Sequence, residues 1–168
     1  MSRLTLKAVT SAWIALALFT LPAAAQPPGT AEAEKAIRAE YVLTGRPSLK
    51  DDIAAQIAMS APDFKVAFPG GKVITRSQWV LMAQEALVTL GPVVDVKIVI
   101  GKPVWQGGQA VFEVEQDMKA TLNQGSVQHP IEQIQDSRDT WGLVGTVWEM
   151  HTSASLGERD YLDGKLQK

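Results

Sequence analysis

The sequence predicts an α+β domain in which three helices precede and pack on a curved antiparallel sheet. Two periodicities and their punctuation carry that reading. Apolar residues recur every three or four positions across most of the stretch up to residue 90, as on one face of a helix. Almost everything after Pro92 alternates with period two, as in strands with one buried face. Short clusters rich in Gly, Pro, Asn and Ser separate the runs, which marks tight turns between sequential antiparallel strands.

The first 25 residues are set apart from the fold. Met1–Lys7 carries Arg3 and Lys7 and no acid, Ala8–Leu21 is an apolar run, and Ala23-Ala24-Ala25 closes it in small residues. The apolar run of 14 residues is shorter than the roughly 20 a bilayer core requires, so the pattern reads as a signal peptide cut after Ala25. Gln26 to Thr30 follows as a Pro/Gly tether, 31–155 as the folded domain and 156–168 as a polar tail. Loss of the leader's two basic residues would take the formal charge from −2 to −4, which disfavours nucleic acid as a partner. With no cysteine in the chain, disulfides, thiolate metal sites and thiol nucleophiles are excluded. The expectation is a periplasmic or secreted protein, free of the membrane after cleavage, stabilised by its core alone.

Within the domain, Ala33, Ala36, Ile37, Tyr41 and Leu43 place an apolar stripe on a first helix, 31–43, closed by Gly45-Arg46-Pro47. Ser48 caps a second, short helix carrying Leu49, Ile53, Ile57 and Ala58 and ending before Pro62. Phe64–Phe68 and Lys72–Thr75 flank Pro69-Gly70-Gly71 and read as a hairpin. A third helix, 78–90, is expected to start at a Ser77 cap and to bury Trp79, Met82, Ala83, Ala86, Leu87 and Leu90 on one face. Strands follow at about 93–102, 109–122, 127–141 and 146–155.

Register follows from asking which pairing keeps apolar residues together, because a slip of one residue inverts every side chain. Trp141 opposite Trp148, Asp139 opposite Met150, Ser137 opposite Thr152 and Phe112 near Ser137 meet that demand. The inner face then holds Phe112, Val114, Gln116, Met118, Ile131, Gln133, Gln135, Ser137, Asp139, Trp141, Trp148, Met150 and Thr152. The outer face holds the Glu113, Glu115 and Asp117 row, Arg138, Glu149 and His151, and belongs in water. Polar groups in the middle of the inner face need partners or a cavity, because burying one unpaired costs about 1–3 kcal/mol. Gln133 and Gln135 can both turn inward only if their strand bends.

Two places in the chain resemble a known family. One is Asp63-Phe64-Lys65-Val66, then Gly70-Gly71-Lys72-Val73-Ile74-Thr75-Arg76 and Trp79. The other is Asp139-Thr140-Trp141 followed after six residues by Trp148-Glu149-Met150. Together they resemble the cone-shaped nuclear transport factor 2-like superfamily, in its SnoaL-like and uncharacterised-domain branch, over about 31–155. That superfamily holds isomerases, dehydratases, hydrolases and binding proteins, so the resemblance implies a fold more than a reaction. A ketosteroid isomerase-like site would need an acid where Phe68 precedes Pro69 and another where Ser137 stands, leaving only Tyr41 in place. An epoxide hydrolase-like relay would draw on Asp136 and Arg138, which the register puts outside. Dehydratase-like chemistry asks for two inner histidines, and the chain has only His129 and His151.

Asp139 and Tyr41 are the candidate catalytic pair; a structural bond from Asp139 to Arg38 or Arg76 is the competing reading. The candidate ligand-binding residues are Tyr41, Trp79, Phe112, Gln133, Gln135, Ser137, Asp139 and Met150. No metal site and no cofactor is expected. Asp51 and Asp52 read as solvated charges, and Gly142-Leu143-Val144-Gly145 as an exposed apolar tip. Three functions stay open: binding of a small, largely apolar molecule; acid-base catalysis of the isomerase or dehydratase type on such a molecule; and a homodimeric interaction module with a filled pocket.

Overall fold

The structure, a computed structural model, describes residues 29–45, 48–124 and 127–167. The leader expected at 1–25 lies outside them, as do residues 26–28 of the tether. Among the described residues no helix is long and apolar enough to cross a membrane.

Three helices and eight strands follow one another in the described chain. They are α1 (Thr30–Leu43), α2 (Leu49–Met59), β1 (Ser60–Ala67), β2 (Val73–Thr75), α3 (Arg76–Thr89), β3 (Leu90–Ile100), β4 (Val104–Gln106), β5 (Gln109–Gln124), β6 (Val127–Val144), β7 (Val147–Leu162) and β8 (Lys165–Leu166). The strands form one sheet in the order β2-β1-β7-β6-β5-β3, with β4 on β5 and β8 on β7. The architecture is thus α+β, as expected. The sheet, however, is mixed: β1 runs parallel to β7, pairing Ser60 with Met150 and Lys65 with Thr152. The expected hairpin does form, Val66 facing Ile74 across antiparallel strands. Its first strand starts straight out of α2, so it reaches β7 from the parallel side, which hairpin signals alone do not reveal.

Local chemistry sets the helix ends. Ser48 caps α2 as expected, accepting the Asp51 N–H. The third helix begins two residues before the expected point, because Thr75-Arg76-Ser77-Gln78 makes a capping box. The Gln78 N–H donates to the Thr75 hydroxyl, and the Gln78 side chain accepts the Thr75 N–H at 2.9 Å. The expected apolar face of this helix is only half covered. Trp79, Ala83 and Ala86 pack inward, whereas Met82 and Leu87 are 45% and 37% exposed, and Leu90 already belongs to β3.

The long strands keep the predicted faces but not the predicted partners. Trp141 pairs with Met150, Phe112 with Asp139 and Val114 with Ser137, each two residues from expectation. The β6–β7 turn is the tighter Gly145-Thr146, so Leu143 and Val144 are strand residues, 56% and 42% exposed. An even slip leaves the alternation intact, so Glu113 and Glu115 face water while Phe112 is fully buried. Two departures do invert side chains, one at His151 and one at Leu156, where pairing jumps from Ser137–Ser155 to Asp136–Gly157. At the first, pairing jumps from Trp141–Met150 to Thr140–Thr152, leaving His151 as the extra residue of a bulge. Beyond it Ser153, not Thr152, faces Asp139. His151 was expected opposite Arg138; it binds Asp63 at 2.8 Å instead, and Arg138 binds Glu113. The strand expected to stop at Ser155 runs on to Leu162 and folds back into β8.

The core lies between the helices and one face of the sheet, where Ile37, Tyr41, Phe64, Phe112, Trp141 and Met150 meet. Burying an aromatic side chain there contributes on the order of 1.5–3 kcal/mol. Asp52 corrects the reading of Asp51-Asp52 as solvated. It is 3% exposed and accepts the Gly45 N–H at 2.6 Å and the Gln56 amide at 2.8 Å, tying the α1–α2 connection to α2. Burial raises its carboxyl above the ordinary value, against the opposing pull of those two donors.

Candidate functional site

Helical spacing places Tyr41 one turn after Ile37, on the face of α1 that meets the sheet. Strand alternation places Asp139 and Trp141 on the buried face of β6, two residues apart. The three side chains form one buried line. The Trp141 indole N–H donates to the Tyr41 hydroxyl oxygen at 2.9 Å, and the Tyr41 hydroxyl donates to Asp139 Oδ2 at 2.7 Å. The Tyr41 and Trp141 rings also meet edge to face, centroids 5.3 Å apart.

With Asp139 ionised the direction of this line is set: the indole N–H donates to the Tyr41 oxygen, and the Tyr41 proton goes to Oδ2. The Tyr41 oxygen keeps a second lone pair, so a proton taken up by Asp139 sits on Oδ2, reversing that bond, or on Oδ1. Oδ1 is shut off from solvent and makes no hydrogen bond. Burial lifts the Asp139 carboxyl above its ordinary range; the Tyr41 hydroxyl and, to a lesser degree, the Ser153 and Ser137 hydroxyls pull the other way. Tyr41 is pushed far upward as well, by burial and by the neighbouring carboxylate, so it stays a donor. Neither Arg38 nor Arg76 reaches Asp139. Arg38 binds Glu34 and the Ile100 and Gly101 carbonyls, and Arg76 binds Ser60 and the Ile57 carbonyl.

Above this line lies a cavity of about 90 Å³, partly open to solvent. Of the residues the sequence suggested for ligand binding, Tyr41, Trp79, Gln135, Ser137, Asp139 and Met150 line it. Two expected lining residues do not. Phe112 is sealed beneath, covered by the Tyr41 ring and by the Arg38 guanidinium 5.6 Å from its centroid. Gln133 lies nearer the far end of the strand and donates to Glu158 and Asp160, because β7 runs past it as a longer strand than expected.

The structure also brings in residues that sequence reasoning did not assign to the site. Phe64 and Val66 enter from β1, Met59 and Gln56 from α2, Ile98 from β3 and Ser153 from β7. Phe64 and Val66 are legible as alternate positions of the hairpin strand. Ser153 is not, since a bulge reverses its side. Phe64 and Trp79 meet edge to face at 5.5 Å and make an aromatic wall. Gln116 and Gln135, also in the lining, are direct cross-strand partners. The outer-face assignment of Asp136 and Arg138 agrees with the structure, where Asp136 meets Arg159 and Arg138 meets Glu113. Among the described residues no cluster of His, Cys, Asp and Glu would hold a metal ion.

No protein-family model matches the chain, and no curated protein matches it. Solved structures do. A conserved protein from Planctomyces limnophilus superposes with a TM-score of 0.61 at 14% identity, over 74% of this chain and 94% of its own. An NTF2-like protein of unknown function from Prochlorococcus gives 0.56 at 13%, over 73% and 91%. A ketosteroid isomerase-like protein from Erwinia carotovora atroseptica gives 0.52 at 17%, over 77% and 98%. Helices on one side of a strongly paired sheet, in this order and with these neighbours, give the chain the nuclear transport factor 2-like fold.

Proposed function

We propose that this chain is an exported protein that binds a small molecule in the cavity between the sheet and the helices, within a cone of the SnoaL-like type. The observation that carries the reading is the unfilled space itself. Its wall bears two half-buried glutamine amides, Gln116 and Gln135, that make no hydrogen bond to the described protein. A core closed on its own side chains would have collapsed onto those amides or left them out, so the pocketless interaction module is the weaker reading. Export rests on the leader pattern; protein recovered from the periplasm should begin at Gln26 by intact mass.

Binding is tested with the methionine methyl groups as reporters. Met59 and Met150 line the cavity, and Met118 sits in a separate apolar cluster. Titration of the full chain with single-ring compounds should shift the Met59 and Met150 methyl resonances and leave Met118 in place. If no compound at millimolar concentration moves them, or all three move alike, the cavity is not a binding site.

Acid-base catalysis is the second reading, favoured by one feature: a buried carboxyl, Asp139, belongs to the cavity lining with its Oδ2 held by Tyr41. A carboxyl raised by burial holds its proton to a higher pH than a free aspartate, which suits it to act as an acid as well as a base. In this reading Asp139 moves the proton and Tyr41 holds Asp139 in place.

A further inference from the structure

We propose that Gln116 and Gln135 form the recognition element of this cavity and select an uncharged ring compound that presents a carbonyl oxygen beside an N–H, a cyclic amide. The inference rests on the small-molecule reading above and names the chemical class it would take. The residues lining the cavity include no lysine, arginine or histidine. An anionic guest would leave water with no cation to meet it, which is costly in such a site. A cationic guest would need a carboxylate, yet Asp139 has given one oxygen to Tyr41 and keeps the other out of solvent contact. Charge therefore argues for a neutral guest.

The geometry of the wall narrows the class. Gln116 on β5 and Gln135 on β6 are directly opposite one another, which sets their Cβ atoms about 4.5–5.5 Å apart. Each ends in a carboxamide with an acceptor and a donor in one plane, and neither is engaged by the described protein. A carboxamide pairs in two-point fashion with a complementary donor and acceptor edge, the way Gln or Asn reads adenine. In the same lining, Phe64 and Trp79 supply apolar surface for the face of a ring. A flat molecule resting on that surface can present its edge to the glutamines.

The test compares four single-ring probes of similar size on the full chain: 2-pyridone, toluene, benzoate and benzylamine, with affinities read from the Met59 and Met150 methyl shifts. The expected result is 2-pyridone at least tenfold tighter than each of the others. In the double variant Q116L/Q135L the 2-pyridone to toluene ratio should fall to about one or below. Retained toluene binding shows that the variant is folded, and the single variants Q116L and Q135L should each lose part of the ratio. Tighter binding of benzoate or benzylamine, or an unchanged ratio in the leucine variants, overturns the proposal while leaving the binding site standing. Silence of all four probes overturns the binding site and the proposal together.

Discussion

Tyr41→Phe is expected to destabilise the protein by about 2–5 kcal/mol and to lower its melting temperature by roughly 5–15 °C. One oxygen is removed, and two buried groups lose their partner: the Trp141 indole N–H and Asp139 Oδ2. Each stranded group costs about 1–3 kcal/mol. Packing hardly changes, since phenylalanine keeps the ring that meets Phe112 at 6.3 Å and Trp141 at 5.3 Å. Water entering from the cavity would rescue Asp139 more readily than Trp141, whose side chain is fully buried, and would bring the cost toward the lower figure. Chemical denaturation of the two proteins measures it. A loss below about 0.5 kcal/mol would mean that the hydroxyl satisfies nothing. Combining Y41F with Asp139→Asn should give less than the sum of the two, because the residues share one bond.

The parts of the fold that follow from periodicity are legible in the amino-acid order itself. The stripe containing Ile37 and Tyr41 puts the tyrosine against the sheet, and alternation puts Asp139, Ser137 and Gln135 on the same side as Phe112. Both survive because an error of two residues in register does not change which way a side chain points. What is not legible depends on single irregularities or on distant chain segments. The His151 bulge exchanges Thr152 for Ser153 at the Asp139 wall, and nothing in the local alternation announces an extra residue. The parallel pairing of β1 with β7 joins residues about ninety positions apart, and it is what carries Phe64 and Val66 to the cavity. Asp52 reads as solvated because its neighbour Asp51 is; its burial comes from the turn that brings the Gly45 N–H onto it. The capping box at Thr75 is written in the sequence, and a nearer serine masks it.

Asp139→Asn should flatten part of the protein's pH dependence of stability. Asp139 has a higher pKa folded than unfolded, where an aspartate titrates near 3.9. Between those two values the folded chain holds a proton that the unfolded chain has released, so raising the pH favours unfolding. The stability associated with the protonated carboxyl is complete below about pH 4 and is lost as pH rises through the native pKa, after which no further change comes from this group. Asp52 is raised by burial too and contributes a slope of the same sign, which the variant retains. Asparagine copies the uncharged acid in charge and size: its oxygen accepts the Tyr41 hydroxyl as Oδ2 does. The variant should therefore gain on the parent as pH increases from 4, and the gap should level off once Asp139 is ionised. Unfolding free energies taken across pH 4 to 9 test this. Parallel curves would show that Asp139 titrates normally, and a gap growing in the parent's favour would show that the fold is built around the carboxylate. The same variant separates the two functional readings, because an amide cannot exchange the proton. Probe binding at the Met59 and Met150 methyls should persist in Asp139→Asn, while any turnover that depends on Asp139 should vanish from it at every pH.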